Sequence, residues 1–297
     1  MKHWHGSMVA LVTPFRNGRV DVPRLKGLVD WHVRQGTDGL VPCGTTGESA
    51  TLSHEEHEQV IEVVIQQARG RIPVIPGTGS NNTAEAIRLT RHAERAGADA
   101  ALLIAPYYNR PTQEGLYRHF KAIAEAVHLP LILYNIASRT GVNIEPETFA
   151  RLSALKNIAG VKEASGSLEQ MARIKQLCGD RFALIAGDDA LTLPVLAIGG
   201  TGVISVVANI LPKPVAHMVR AFERGRVAEA RALHYHLLAI TKAMFLETNP
   251  IPVKTAMGLM GLLEPELRLP LCPMTAANHE KLVAVLRQYT LLKRGRR

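Results

Sequence analysis

The chain is poor in cysteine: Cys43, Cys178 and Cys272 are its only three, far apart and in no CxxC spacing. So sparse and odd a set excludes a disulfide framework and a structural zinc site, and it fits a reducing compartment. No apolar run approaches the roughly 18 to 20 residues that span a bilayer, which excludes a helical membrane protein. The opening Met1-Lys2-His3-Trp4-His5-Gly6 lacks the apolar stretch of a secretory leader, so a cytoplasmic protein is expected. His3 reads as a frayed end rather than a metal ligand. Low-complexity segments are absent, and no basic–aromatic RNA-binding motif occurs. The one excess is positive charge, a net +9 over 297 residues. Its dense cluster is Lys293-Arg294 with Arg296-Arg297, and the other arginines are scattered through stretches that also carry glutamate. That pattern reads as a solvated basic surface, not a nucleic-acid face.

What the chain does have is a rhythm. With 46% apolar and 21% charged residues it can bury a large core. Short runs rich in Val, Ile and Leu end in Gly, Pro or polar residues, and an amphipathic helical stretch follows each. The strand candidates are residues 8–13, 39–43, 73–77, 101–106, 131–135, 159–163, 182–186 and 202–206. Near-continuous apolar strands separated by helices imply a parallel sheet covered on its faces, and eight units imply an α/β fold, the (β/α)8 TIM barrel. Residues 1–225 are expected to form the catalytic barrel. Residues 226–297, where the strand signal vanishes, are expected to form a C-terminal three-helix extension, broken at Asn249-Pro250-Ile251-Pro252 and around residues 265–273. Ser53-His54-Glu55-Glu56 predicts a capping box, and Thr83 and Ser167 are expected to open later helices in a similar way.

Active sites of such barrels lie at the C-terminal ends of the strands. Lys162 follows Ile158-Ala159-Gly160-Val161, and most of the other ten lysines sit in polar helix or loop contexts. Burial disfavours an ammonium, and a neutral amine attacks carbonyls and holds them as imines. A structural lysine would need a partner, but adjacent Glu163 alternates to the opposite face of the strand. Lys254, the other lysine with apolar neighbours, ranks second because it falls in the helical tail. Tyr134 ends the fifth strand, and the residues alone leave open whether its phenol shuttles protons or is a core tyrosine with a satisfied hydroxyl. Arg139, in a loop placed to bind a carboxylate with a bidentate fork, reads by default as a surface arginine when taken alone. Gly44-Thr45-Thr46-Gly47-Glu48 offers hydroxyls and backbone N–H groups that suit a carboxylate, and it lacks the lysine of a nucleotide-phosphate loop. Gly77-Thr78-Gly79 reads as a tight turn. His54-Glu55-Glu56-His57 is not HExxH, and no metal site is expected.

Together these segments resemble one family. Gly44-Thr45-Thr46-Gly47-Glu48-Ser49, Pro106-Tyr107-Tyr108-Asn109, Tyr134-Asn135, Ser138-Arg139-Thr140-Gly141, Gly160-Val161-Lys162-Glu163, Gly187-Asp188-Asp189, Gly202-Val203-Ile204-Ser205 and Asn249-Pro250-Ile251-Pro252 follow the pattern of the dihydrodipicolinate synthase family of pyruvate-dependent lyases, in order along nearly the whole chain. The resemblance implies condensation of pyruvate with L-aspartate 4-semialdehyde through a Schiff base on Lys162, with no cofactor beyond that imine. It implies a relay of Tyr134, Thr45 and Tyr108, the last reaching in from a neighbouring subunit of a homotetramer. Thr46, Arg139, Gly187 and Ile204 are implied to bind substrate: Thr46 and the Ile204 backbone hold pyruvate, and Arg139 meets the carboxylate of the semialdehyde. Ser49, Ala50, His54, His57, Asn81, Glu85 and Tyr107 match positions that bind L-lysine as a feedback inhibitor. There Glu85 can take an ammonium, and the two histidines are expected one turn apart on one face. Ala137 stands where the family pattern has proline, which frees a φ angle beside Arg139. The competing readings are an aldolase acting on a sugar acid and a non-catalytic nucleic-acid-binding barrel; the second leaves Lys162, Tyr134 and Arg139 unexplained.

Overall fold

A computed structural model describes residues 4–292; His3 and the basic cluster at 293–297 lie outside the described residues. The apolar runs form strands β1 (Gly6–Ala10), β4 (Gly39–Val41), β5 (Ala101–Ile104), β6 (Leu131–Asn135), β7 (Ile158–Glu163), β8 (Ala183–Ala186) and β9 (Gly202–Ser205). A two-stranded antiparallel hairpin, β2 (Phe15–Arg16) with β3 (Arg19–Val20), stands apart. The seven strands make one parallel sheet in the order β4-β1-β9-β8-β7-β6-β5.

Residues 73–77 close the circle. On one side the Leu40 and Ile75 N–H groups bond to Pro73 and Leu40 carbonyls at 2.9 and 2.8 Å, and Gly77 donates to Pro42 at 2.8 Å. On the other, Leu102 donates to Pro76 at 2.8 Å and Thr78 to Leu102 at 2.9 Å. The expected third strand is therefore present as a path, joined only by isolated bridges. Pro73 and Pro76 have no N–H to give, so a regular ladder cannot form there. The first strand also differs from expectation: it starts at Gly6 and ends at Ala10, with only Leu11 adding a further bond, to Val41 at 3.0 Å.

Eight helices cover the sheet: α1 (Val22–Gln35), α2 (His54–Ala68), α3 (Thr83–Ala96), α4 (Gln113–Ala126), α6 (Pro146–Ser153), α7 (Leu168–Cys178), α8 (Thr192–Ala197) and α9 (Pro212–Glu223). A single turn, α5 (Ala137–Thr140), precedes α6, and the extension is α10 (Val227–Ala243), α11 (Ile251–Leu259) and α12 (Ala276–Gln288). This is the (β/α)8 barrel with three C-terminal helices. The capping box at α2 forms as expected, with both Ser53 and Glu56 bonding back. At α3 the cap is Asn82 rather than Thr83: the Asn82 side-chain Oδ1 accepts from Ala84 N–H, and Thr83 is already helical. Asparagine outcompetes threonine at that position.

The period of two along each strand sorts the core into an inner and an outer layer. On β6, Leu131 and Leu133 pack outward under the helices, while Ile132 and Tyr134 face the barrel interior with Met8, Ile185 and Ile204. Tyr134, Lys162 and Ile185 are register neighbours across β6, β7 and β8, so Lys162 points into the same interior. Asn135, Glu163 and Ala186 form the next row and face outward. Glu163 there accepts from Asn135 at 2.9 Å and from Ser165 N–H at 2.7 Å. The alternation that removed Glu163 as a partner for Lys162 holds.

Candidate active site

Lys162 lies at the C-terminal end of β7, buried, with its Nζ 4.2 Å from the centroid of the Tyr134 ring. Burial pulls its pKa down to about 8; nearby Asp189 opposes this and the Arg139 charge assists it. No ion pair ends on Lys162 among the described residues. The amine is thus uncharged in a usable fraction near neutral pH, which is the condition for attack on a carbonyl. Gly187 gives its stem room: a Cβ there would come within 3.2 Å of Lys162 Cγ and 2.8 Å of Ala164 Cβ. The Gly187 N–H is already bonded to the Glu163 carbonyl at 2.8 Å, so its contribution to the site is space.

Tyr134 is buried beside this amine. Burial pushes the phenol pKa up to about 12, against the Arg139 charge and a side-chain hydrogen bond with Thr45. It therefore keeps its proton and can pass one along only as a hydroxyl. The Thr45–Thr46 turn is clamped between Cys43 and Glu48, both at positive φ (55° and 53°). Gly47 and Ser49 N–H groups bond to the Gly44 carbonyl at 3.1 and 3.3 Å, and Glu48 donates to Thr45 at 3.1 Å. Thr13 Oγ1 fastens the turn to Gly47 O at 2.7 Å. Thr46 is buried and accepts at Oγ1 from Asn249 Nδ2 at 3.0 Å. Gly77, read from the sequence as part of a tight turn, is also a close backbone approach, since a Cβ would meet Cys43 O at 2.3 Å. Ile204 is buried on β9 opposite Met8, in the interior that Lys162 faces.

Arg139 sits on α5, exposed, with Nη2 donating to the Asn249 carbonyl at 3.2 Å. The turn that carries it does not need proline at 137. Arg139 and Thr140 N–H groups both bond to Ile136 O at 3.0 Å, and Gly141, in left-handed conformation, donates to Ala137 O at 2.9 Å. Position 137 is the first of the turn, where the N–H has no helical partner in any case. The expected loosening is countered by these bonds. Asp189 was not singled out from the sequence as a partner, yet its charge acts on Lys162, and its carboxylate is held by the Ser205 hydroxyl and by Val206 N–H at 2.9 Å.

Not every residue of the pattern converges on Lys162. Tyr108 is 90% exposed with φ of 70°, at the tip of the loop after β5. A second group gathers instead around α2 and α3. His54 Nε2 lies 3.2 Å from Glu85, the Ser80 hydroxyl bonds to Glu85, and Asn81 Nδ2 reaches the Tyr107 carbonyl at 3.2 Å. Ser49 and Ala50 lie on the short 3-10 turn that precedes α2. His57 lies one turn on from His54 as expected but is no open ligand: it is buried, with Nε2 2.9 Å from Gly77 O, and burial pulls its pKa down to about 4. Its position, one turn on from His54, places it over the strand path at residue 77.

Lys254 lies on α11, in the helical tail as expected, with a partner that the sequence did not point to. It is fully buried, its Nζ bonding to Glu48 Oε1 at 2.6 Å and lying 4.2 Å from the Phe15 ring. Arg268 stacks on Phe15 at the same 4.2 Å, donates its N–H to Glu48 at 3.1 Å and grips Glu56 with two bonds of 2.6 Å. The extension is thereby bolted to the threonine turn. Among the described residues no group of three or more His, Cys, Asp or Glu could hold a metal, and no helix is long and apolar enough to cross a membrane.

A lysine held short of its usual basicity at the mouth of a (β/α)8 barrel is the device of the Schiff-base-forming lyases, which take carbonyl substrates as imines. Within that class the chain belongs to the Dihydrodipicolinate synthetase family, whose model matches residues 3–289. The 4-hydroxy-tetrahydrodipicolinate synthase of Syntrophus aciditrophicus (strain SB) is 58% identical over 287 residues, 97% of this chain and 99% of the relative. The dihydrodipicolinate synthase of Acinetobacter baumannii, solved in complex with pyruvate, superposes with a TM-score of 0.95 at 46% identity, covering 97% of this chain and 99% of that one. That of Cyanidioschyzon merolae, solved with lysine bound, superposes at 0.94 and 42% identity over 98% and 100%.

Proposed function

We propose that this protein condenses pyruvate with L-aspartate 4-semialdehyde to 4-hydroxy-tetrahydrodipicolinate, in the diaminopimelate route to lysine. The observation that carries it is the buried, pKa-lowered Lys162 beside Tyr134 in a family member. The Lys162 amine adds to the pyruvate carbonyl and loses water to form an imine. Loss of a methyl proton gives an enamine, whose carbon attacks the aldehyde and leaves the hydroxyl. The amino group of the second substrate then displaces Lys162 and closes the ring. The imine is the only cofactor-like group required.

Tyr134 and Thr45 relay protons in this reading, together with Tyr108 of a neighbouring subunit. A tyrosine left 90% exposed at a loop tip supports its being covered by another copy, in a homotetramer built as a dimer of dimers. Thr46 and the Ile204 backbone hold the pyruvate carboxylate, Gly187 keeps room for the imine, and Arg139 receives the carboxylate of the semialdehyde. L-Lysine is proposed as a feedback inhibitor at the cleft of Ser49, Ala50, His54, His57, Asn81, Glu85 and Tyr107. There His57 serves as a wall rather than as a charged ligand. Residues 1–225 act as the catalytic barrel and 226–297 as its helical brace, in a cytoplasmic enzyme that binds neither nucleic acid nor membrane. Borohydride trapping with pyruvate, read by peptide mapping, tests the core of this reading: the reduced pyruvyl group is expected on Lys162. Label on Lys254, or unaltered turnover in Lys162→Ala, would overturn it.

A further inference from the structure

Asn249 touches two groups that the sequence leaves unconnected. Its side-chain Nδ2 donates to Thr46 Oγ1 at 3.0 Å, across 203 positions of chain, and its main-chain carbonyl accepts from Arg139 at 3.2 Å. The residue is buried, and its Oδ1 has no hydrogen-bond partner among the described residues. A threonine hydroxyl carries one proton and two acceptor lone pairs. Once Asn249 occupies a lone pair, the proton is left to point away from the amide. No acceptor for that proton is found among the described residues, since the Asn249 contact is the only hydrogen bond made by Thr46 Oγ1. A carboxylate, which can only accept, is the complementary ligand group.

We infer that Asn249 is a positioning residue for both substrates: its amide sets the Thr46 hydroxyl as a donor to the pyruvate carboxylate, and its carbonyl seats the Arg139 guanidinium for the second carboxylate. This rests on the reading of Thr46 as a pyruvate contact. It makes the direction of one hydrogen bond, rather than the bulk of the residue, the property that matters. An aspartate at 249 has the same shape but reverses that direction. It would draw the Thr46 proton to itself and place a like charge toward the incoming carboxylate.

The test compares Asn249→Asp, Asn249→Ala and Thr46→Val in the full-length enzyme, assayed with pyruvate and aspartate semialdehyde, with thermal denaturation as a check on folding. Loss of a neutral hydrogen bond predicts a pyruvate KM raised about 3- to 10-fold in Asn249→Ala. Asn249→Asp is expected to raise it about 30-fold or more at pH near 8 while kcat changes less, because a charged group is now misplaced. Relative to the unsubstituted enzyme, that defect should shrink toward about pH 6, as a buried carboxyl regains its proton and donates as the amide did. A residue that only fills space predicts the reverse order, with isosteric aspartate milder than alanine and no pH dependence. Asn249→Asp no worse than Asn249→Ala, with Thr46→Val impaired, would overturn the role of Asn249 alone. An unchanged pyruvate KM in Thr46→Val would instead overturn the role of Thr46, and the inference with it. If Asn249→Ala does not fold, the pH dependence of Asn249→Asp decides.

Discussion

Lys162 and Lys254 are both buried, and their surroundings send them to opposite uses. Lys254 faces Glu48 at 2.6 Å, so an adjacent carboxylate resists the loss of charge that burial favours. Lys162 has no such partner, and only the more distant Asp189 restrains its fall to about 8. The sequence ranks Lys162 above Lys254 from strand context, and it offers no sign of the Glu48 pairing that sets Lys254 apart. The lowered value sets a pH dependence with a definite sign. The protonated amine cannot attack, so below the folded pKa each pH unit removes about tenfold of the reactive form. The rate of imine formation with pyruvate is expected to fall along a limb with a midpoint near 8 as pH drops, measured by borohydride trapping at short times. A limb near the ordinary lysine value would contradict the assigned environment. Arg139 bears on the same group, since its charge helps hold Lys162 down. Arg139→Ala should therefore shift that limb upward, and its main effect should be on the second substrate. Loss of a charge-assisted pair costs about 1.5 to 3 kcal/mol, so the KM for aspartate semialdehyde should rise by one to two orders of magnitude, well beyond that for pyruvate. Equal effects on both would argue against the assignment.

At the scale of elements, the strands were legible because each is apolar on both faces and punctuated by glycine, proline or a polar residue. The exception is instructive: residues 73–77 have the composition of a strand, but Pro73 and Pro76 remove donors, and only backbone geometry shows that the barrel still closes there. The inward row that carries Tyr134 and Lys162 was legible for the same reason, since alternation along β7 fixes which way Lys162 and Glu163 point. What could not be read is the brace between α11 and the threonine turn. Glu48 and Lys254 are 206 positions apart, and Arg268 lies in an irregular stretch with no periodic signal. Local patterns do not encode such pairings. The brace has an energetic consequence, because removing one member of a buried ion pair strands the other. Lys254→Met should destabilise the protein by about 3 to 5 kcal/mol and loosen the turn that carries Thr45 and Thr46. Adding Glu48→Gln should restore much of that stability, because the stranded charge is then gone. Urea unfolding of the single and double variants measures both. A double variant as unstable as Lys254→Met would show that packing, not charge, is what the pair supplies.

For the whole molecule the decisive feature is what a single protomer leaves uncovered. Tyr108 is 90% exposed and Tyr107 40% exposed, side by side on one loop tip, and the backbone there is held in a left-handed conformation at Tyr108. Placing a large aromatic in water at such a φ is unfavourable without a partner surface, which supports assembly through this loop. The cleft proposed for lysine adjoins the same loop, because Asn81 Nδ2 bonds to the Tyr107 carbonyl and Asn109 Nδ2 to the Asn81 carbonyl at 2.9 Å. A ligand that pulls on Asn81 would therefore displace the tip that carries Tyr108. Glu85, already in contact with His54 and the Ser80 hydroxyl, is the carboxylate in that cleft able to receive a ligand ammonium. If lysine acts this way, it should lower turnover while leaving pyruvate binding nearly intact, with a coupling of about 1 to 3 kcal/mol. Partial inhibition at millimolar L-lysine is therefore expected, accompanied by little change in the pyruvate KM. Glu85→Ala should abolish the inhibition and keep most basal activity, and Tyr108→Phe should slow catalysis with the oligomer unchanged in light scattering. An active monomer would remove the role given to Tyr108. Undiminished turnover in saturating lysine would leave the tip in place but unregulated, and the bonds from Asn81 to the loop would then serve only to hold the tyrosines for the neighbouring subunit.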